Sequence, residues 1–183
     1  MATTAGDVVD DLEWLATRTG STALGGRPFA VSARHRAGVV VEPTRVQEAA
    51  RTGVPVIAVV GLPDGRHHSV IKAAEARLAV DMGAHEVWLA VDVDAAGDNG
   101  VLADVLAVRQ AVEAPARLGL LYRDRPEIVR AGELVGVDKL VCEAGERIPD
   151  TALDVAVTGT VDTVEAVVSA LDAGAGEVFT TPG

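Results

Sequence analysis

The chain has 183 residues, which suits one domain over 1–183, and 49% of them are apolar. Its formal net charge of −11 argues against a general site for nucleic acid or for an anionic membrane surface. No apolar run approaches the roughly 18 residues of a membrane span. Cys142 is the single cysteine and cannot form an internal disulfide, and the acidic start "MATTAGDVVDDLEW" has no signal-peptide pattern. We therefore expect a cytoplasmic protein.

Short Val-rich runs alternate with helical patterns along the chain. An N-terminal helix is predicted around 7–18, followed by a first strand at "STAL" (21–24). Further strands are predicted at 37–43, 54–61, 85–93, 117–122, 138–144, 153–159 and 176–183. Further helices are predicted at 44–53, 69–83, 100–114, 125–135 and 162–174, and several of them close on Gly. Strand–helix alternation with right-handed crossovers predicts a parallel α/β fold.

Seven strands and a possible eighth at 21–24 predict a shortened (βα)₈ barrel, with a doubly wound open sheet as the alternative. A barrel of this type usually needs about 250 residues, so some helices are expected to be reduced or missing. The stretch "GERIPDTAL" (145–153) is one such place, because a parallel crossover takes about a dozen residues or more. We expect the N-terminal segment, 1–19, to cover the flank left open. Such an apolar flank is compatible with a homo-oligomer.

One long motif carries a family resemblance. The stretch "GLPDGRHHSVIKAAEARLAVDMGAHEV" (61–87) resembles the deoxyribose-phosphate aldolase family, which has a Gly-Phe-Pro-x-Gly turn, then a hydroxyl residue, a Lys and a Glu on the next helix. The positions that fit in register are Gly61, Pro63, Gly65, Ser69, Lys72, Glu75, Gly83, Ala84 and Glu86. "VVVEPTRVQEA" is similar to the second strand of the family, with Glu42 in place of an Asn. The resemblance covers roughly 20–183 and implies a TIM barrel without metal or organic cofactor.

The resemblance also implies a catalytic apparatus that this chain lacks at the matching positions. Family members are class I aldolases, in which a lysine on the sixth strand forms a Schiff base with an aldehyde. A second lysine on the seventh strand lowers the pKa of the first, and an aspartate on the fourth strand takes part in proton transfer. These three positions fall on Val141, Ala156 and Trp88.

The phosphate site that the resemblance implies would lie after the last two strands. Thr158, Gly159, Thr180 and Thr181 occupy those positions and could hold a small phosphorylated sugar. However, Asp162 stands where an Arg is usual, and with Glu165 it is typical of a helix capping pair.

Two further residues, His67 in the loop after the third strand and Arg123 after the fifth, could bind an anion at the barrel mouth. A solvated loop is the alternative for His67, and a surface ion-pair cluster for Arg123. No third ligand has the spacing of a metal site, so no metal is expected.

The chain has only two lysines, Lys72 and Lys139. Lys139 shares one strand face with Val141 and lies two residues, about 6.6 Å, deeper in the barrel. It is either an internal ion-pair partner, for which Glu143 is the candidate, or the Schiff-base residue if the alignment shifts. Lys72 lies three residues before Glu75, at the spacing of a surface pair.

Two hypotheses therefore remain open. In the first, the protein is inactive in the family reaction and binds a metabolite or a partner protein. In the second, it is an active carbon–carbon lyase that acts on deoxyribose 5-phosphate, or a related sugar phosphate, through Lys139.

Overall fold

Eight parallel strands close into a barrel and pair in chain order. The computed structural model describes residues 5–95, 97–161 and 163–181. The strands are β1 (Thr19–Thr22), β2 (Val39–Val41), β3 (Val56–Val60), β4 (Glu86–Leu89), β5 (Arg117–Leu121), β6 (Lys139–Glu143), β7 (Asp154–Gly159) and β8 (Glu177–Thr180). Every neighbouring pair is parallel, and β1 closes the ring on β8. The architecture is a TIM barrel, as the sequence predicted, and the open sheet is excluded.

Helices pack around the barrel unevenly. They are α1 (Ala5–Arg18), α2 (Val46–Ala49), α3 (Ser69–Asp81), α4 (Gly97–Ala111), α5 (Pro126–Val135) and α6 (Val164–Asp172). The ends of α5 follow from its sequence, since Pro126 opens the first turn and Gly136 closes the helix at φ 73°.

The start of α6 corrects a detail of the sequence analysis. Asp162, the expected capping residue, lies outside the described residues. The hydroxyl of Thr163 accepts a hydrogen bond from the Ala166 backbone N–H at 3.2 Å, so Thr163 is the N-cap of this helix.

Three connections between strands depart from the full βα pattern. Residues 23–38, between β1 and β2, contain no helix, and neither do residues 144–153, where the sequence had predicted a reduced crossover. The helix predicted over 44–53 is broken into α2 and two flanking 3₁₀ turns, Pro43–Arg45 and Ala50–Thr52. Among the described residues, no helix follows β8.

α1 lies against the flank between the last strands and the first. The Thr19 hydroxyl donates to the Leu15 carbonyl at 2.9 Å, and the Arg36 backbone N–H donates to the Ala16 carbonyl at 3.0 Å. Leu15 packs on the main hydrophobic core, and Ala16 is buried. The described part of the N-terminal helix thus covers part of this flank.

The barrel interior is a separate apolar cluster inside the ring of strands. Two aromatic rings dominate it, Trp88 from β4 and Phe179 from β8, which meet edge to face at 5.1 Å between centroids. Gly119 and Gly20 leave space for these rings. A Cβ at Gly119 would lie 2.7 Å from Trp88 Cδ1, and a Cβ at Gly20 would lie 2.4 Å from the Phe179 ring.

No helix among the described residues has both the length and the apolar character needed to cross a membrane.

Candidate functional site

The positions matched to the three catalytic residues lie together in the middle of the barrel. Val141 and Ala156 are paired on neighbouring strands, and both belong to the interior cluster with Trp88. Val141 and Trp88 are 1% exposed, and Ala156 is fully buried. The indole N–H of Trp88 points toward the amino ends of the strands and donates to Glu86 Oε1 at 2.5 Å. Side chains therefore fill the level at which a Schiff-base lysine would stand.

Lys139 lies below that level, at the first residue of β6. Its ammonium contacts Glu86 Oε2 at 3.0 Å and Glu177 Oε2 at 2.5 Å, and its side chain is 3% exposed. The internal ion pair therefore exists, but Glu143 was the wrong partner. Glu143 ends β6 at the opposite rim and is exposed. Strand alternation correctly placed Lys139 and Glu143 on one face of β6. It could not show that the carboxylates within contact distance of the amine come from β4 and β8.

A layer of charges forms the floor of the barrel around Lys139. Arg117 Nη2 lies 2.7 Å from Asp154 Oδ2, and Arg117 Nε lies 4.0 Å from Glu86 Oε2. All of these side chains come from the first residue of a strand. We define the floor as the five residues Glu86, Arg117, Lys139, Asp154 and Glu177. The sequence indicates a charged layer at this end of the barrel, because five consecutive strands begin with a charged residue.

Lys72 is buried, which contradicts the surface pair predicted with Glu75. Its side chain is 1% exposed and its ammonium forms an ion pair with Asp104 of α4. It also donates to the carbonyls of Gly65 at 2.7 Å and of Ala90 at 3.3 Å. Lys72 is buried because it lies on the inner face of α3. Lys72, Ala76 and Ala79 occupy positions i, i+4 and i+7 of this helix, and all three are buried. Lys72 thereby fixes the ends of β3 and β4 and plays a structural role.

The residues predicted to bind phosphate lie on adjacent strands but do not form an open cradle of amides. The backbone N–H groups of Val161 and Thr181 both donate to the Gly159 carbonyl, at 3.0 and 2.8 Å. The Thr181 hydroxyl lies 3.0 Å from the Thr22 hydroxyl. Thr158 shares the inward face of β7 with Ala156 by alternation.

Thr180 belongs to a different surface from its neighbours. It alternates with the inward-facing Phe179, and it lines a groove on the outside of the barrel, where Thr19 is also found. The structure thus brings Thr158, Gly159 and Thr181 to the mouth and leaves Thr180 outside it.

His67 and Arg123 lie on the other side of the mouth, on the loops after β3 and β5. His67 is exposed. Arg123 donates to the Pro63 carbonyl and so bridges these two loops. Arg123 and Asp124 both have left-handed backbone, with φ of 51° and 52°. Such a conformation is unfavourable for an Arg and is found where a structure over-determines the backbone.

Glu42 was noted only as a replacement, and the structure gives it a place at the mouth. It follows β2, two residues after the inward-facing Val40. Its Oε1 accepts a hydrogen bond from the Gly25 N–H at 2.5 Å. Its Oε2 is buried and has no hydrogen-bond partner among the described residues. An unpartnered buried carboxylate oxygen is unusual enough to mark a candidate contact for a ligand.

Cys142 alternates with the inward-facing Val141 and faces away from the barrel axis. It is fully buried in the outer core, and this burial raises the pKa of its thiol to about 12. The thiol is therefore not a nucleophile at neutral pH. Within residues 5–95, 97–161 and 163–181, no group of three His, Cys, Asp or Glu side chains could hold a metal ion.

Several relatives of this chain are named deoxyribose-phosphate aldolase. The chain is 42% identical over 127 residues to the one of Mycolicibacterium paratuberculosis, covering 67% of this chain and 54% of that protein. It is 39% identical over 117 residues to one of Nocardia farcinica, covering 58% of this chain and 52% of that protein. One of Kocuria rhizophila is 29% identical over 163 residues, covering 75% and 74%. The chain spans about half the length of the first two relatives. No protein-family model matches it.

Solved structures show the same fold. A tetrameric deoxyribose phosphate aldolase from Aeropyrum pernix superposes with a TM-score of 0.78, covering 97% of this chain and 94% of that one at 22% identity. A putative deoxyribose-phosphate aldolase from Coccidioides immitis has a TM-score of 0.73, with coverage of 92% and 82% at 20% identity. At these identities the likeness establishes the fold alone.

Proposed function

The chain belongs to the deoxyribose-phosphate aldolase family as a short and divergent member, and from this premise we propose that it does not form the Schiff base of class I aldolases. The observation that supports this is the packing of Trp88, Val141 and Ala156 in the middle of the barrel. A nucleophilic amine must reach the carbonyl carbon of a bound aldehyde. At this level of the barrel there is hydrocarbon and indole instead of an amine.

The remaining interior amine is poorly suited to the chemistry. An amine attacks a carbonyl only where the carbonyl carbon can reach it, and two carboxylates hold this amine below the interior cluster. Lys139 has Glu86 and Glu177 as partners and no second cation among its described contacts. Between Lys139 and the mouth lies the interior cluster that contains Trp88 and Phe179. A sugar phosphate would have to displace those rings to reach the amine.

The function that remains is non-catalytic binding at the mouth. The Thr22 and Thr181 hydroxyls and the free oxygen of Glu42 could bind hydroxyl groups of a small metabolite. The amides of Val161 and Thr181 are already occupied, and Glu42 adds a carboxylate, so a phosphate group is disfavoured. We therefore favour a neutral hydroxylated compound over a phosphorylated sugar.

Borohydride trapping tests the catalytic part of this proposal. The protein is incubated with deoxyribose 5-phosphate, reduced with borohydride and measured by intact mass and peptide mapping. Two lysines make the mapping unambiguous, and the Nocardia farcinica relative run in parallel is the positive control. We expect no adduct on either lysine.

The contrary outcome is equally specific. A stoichiometric adduct on Lys139, lost in Lys139→Met and kept in Lys72→Arg, would establish the active-aldolase alternative. Lys139→Met is preferred to a truncation here because it keeps the volume of the side chain.

Thermal denaturation with added ligands tests the binding part. We expect 2-deoxyribose to raise the melting temperature more than its 5-phosphate does, because the phosphate meets the charge of Glu42. The variant Glu42→Gln keeps an acceptor for the Gly25 N–H and should reduce that difference. A stronger effect of the 5-phosphate in the wild-type protein would reject the neutral ligand.

A further inference from the structure

The free oxygen of Glu42 at the mouth is closed off from solvent. Glu42 Oε2 is buried and has no hydrogen-bond partner among the described residues. A ligand hydroxyl therefore reaches this atom only if a covering segment moves. The other oxygen indicates which segment that is, because Oε1 accepts a hydrogen bond from the Gly25 backbone N–H at 2.5 Å. The loop after β1 thus lies against the carboxylate.

The tip of that loop, which we define as Leu24, Gly25 and Gly26, is loosely held. Leu24 packs against the interior cluster but is only partly buried. Both glycines are exposed and have left-handed backbone, with φ of 70° and 72°. A Cβ added at either glycine would meet no atom beyond its chain neighbours within 4 Å. The described contacts of the tip are therefore one hydrogen bond and one half-buried side chain, with free space around the glycines.

The residues on either side of the tip are fixed by Arg45. Its Nη1 donates to the Ala23 carbonyl at 2.8 Å and to the Arg27 carbonyl at 2.7 Å. Its guanidinium carbon lies 4.2 Å from the centroid of the Phe29 ring, at the distance of a cation–π contact. The Ala23 N–H also donates to the Val40 carbonyl of β2 at 2.8 Å. Movement is thereby confined to the three residues between the clamped points.

We propose that the tip is a gate, which must lift from Glu42 before a ligand binds at the mouth. This inference rests on the proposed binding function and adds how access to that site is controlled. Lifting the tip breaks the hydrogen bond between Gly25 and Glu42 and frees both oxygens of the carboxylate. Hydroxyl groups of the ligand then replace the Gly25 N–H as donors. The raised state is the binding-competent one, so its population sets the apparent affinity.

Native-state hydrogen exchange of the Gly25 amide, followed by NMR, tests the motion without any ligand. Gly26→Ala destabilises the closed tip, because a left-handed φ is unfavourable for Ala and not for Gly, whereas the raised tip is free to leave that region. We expect this variant to accelerate exchange of the Gly25 amide about fivefold or more.

The matched control for this variant is Gly53→Ala. Gly53 is also exposed, has φ of 78° and has free space at its Cβ position, but it precedes β3 at the opposite end of the barrel. It carries the same backbone penalty and should leave exchange at Gly25 unchanged. In the wild-type chain the Gly25 amide should exchange faster than the clamped Ala23 amide. Equal rates at these two amides, or equal acceleration by the two variants, would refute the gate.

Calorimetric titration with 2-deoxyribose tests the control of access. Gly26→Ala should lower the apparent dissociation constant by up to the factor by which it accelerates exchange, and Gly53→Ala should match the wild-type chain. Unchanged or weaker binding by Gly26→Ala, despite faster exchange, would show that the closed state binds and would refute the gate. No binding by any of the three chains would reject the proposed function and the role of the gate with it. Measurable binding without local exchange at Gly25 would reject the gate alone.

Discussion

The middle and the floor of the barrel fill the same narrow space with opposite chemistry. In the middle, Trp88 and Phe179 pack against small residues, and shape decides what fits. In the floor, three carboxylates and two cations contact one another, and charge decides what fits. The two layers are joined at one point, where the Trp88 indole donates to Glu86. The comparison shows how one barrel interior can be filled by shape in one layer and by charge in the next.

The largest expected effect comes from the floor. Lys139→Ala leaves Glu86 and Glu177 without their shared cation, and removing one partner of a buried ion pair costs about 3–5 kcal/mol. We expect a loss of folding free energy near the lower end, since Glu177 is 28% exposed. Urea denaturation measures it.

The control for the floor is Arg130→Gln, which breaks an exposed pair with Asp98. This change should have only a small fraction of the effect. Equal effects of the two variants would show that the floor is no more than a surface network.

A smaller effect is expected in the middle layer, where fit is steric. Gly119→Ala places a methyl group 2.7 Å from Trp88 Cδ1, and overpacking of this kind costs about 1–3 kcal/mol. The cost should fall in a Trp88→Val background, which removes the ring. A double-mutant cycle on unfolding free energies measures the coupling. Additive effects would mean that Gly119 is required for its backbone and not for the indole.

The smallest effect concerns pH and lies outside both layers. Burial lowers the pKa of His35, with a smaller contribution from Arg34, and Ser32 contacts its Nδ1 at 3.1 Å. The unfolded chain therefore binds a proton more readily than the folded one, and stability should fall as pH drops below the usual His pKa of about 6.5. His35→Gln should flatten this part of the stability profile in urea titrations at pH 5 to 7.5. If the stability of His35→Gln depends on pH as steeply as that of the wild-type protein, groups other than His35 cause this pH dependence.

Much of the fold could be predicted from the sequence because local periodicity encodes it. Val-rich runs and apolar positions three and four apart placed every strand and most helices within a few residues. The run 44–53 was the exception. It has helical periodicity, but in the structure it forms a four-residue helix between two 3₁₀ turns. The N-cap of α6 differed by one residue, because Asp162 and Thr163 are both capping residue types and local sequence does not distinguish them.

The candidate site was predictable only in part. Alternation along β6 placed Lys139 on the inner face and below Val141, and both assignments agree with the contacts. The partners of the two lysines could not be predicted, because Glu86 is 53 residues from Lys139 and Asp104 is 32 residues from Lys72. The free oxygen of Glu42 depends on where the loop at Gly25 lies, which no local pattern encodes.

The sequence by itself determined which chemical groups are present and on which side of each strand they point, because side-chain alternation is a property of the local backbone. It thereby placed Val, Ala and Trp at the three positions that the resemblance matches to catalytic residues of the family. Only the tertiary structure decided which charges meet, since closure of the barrel brings β4, β6 and β8 around one axis. That closure turns Lys139 into the centre of an ion network.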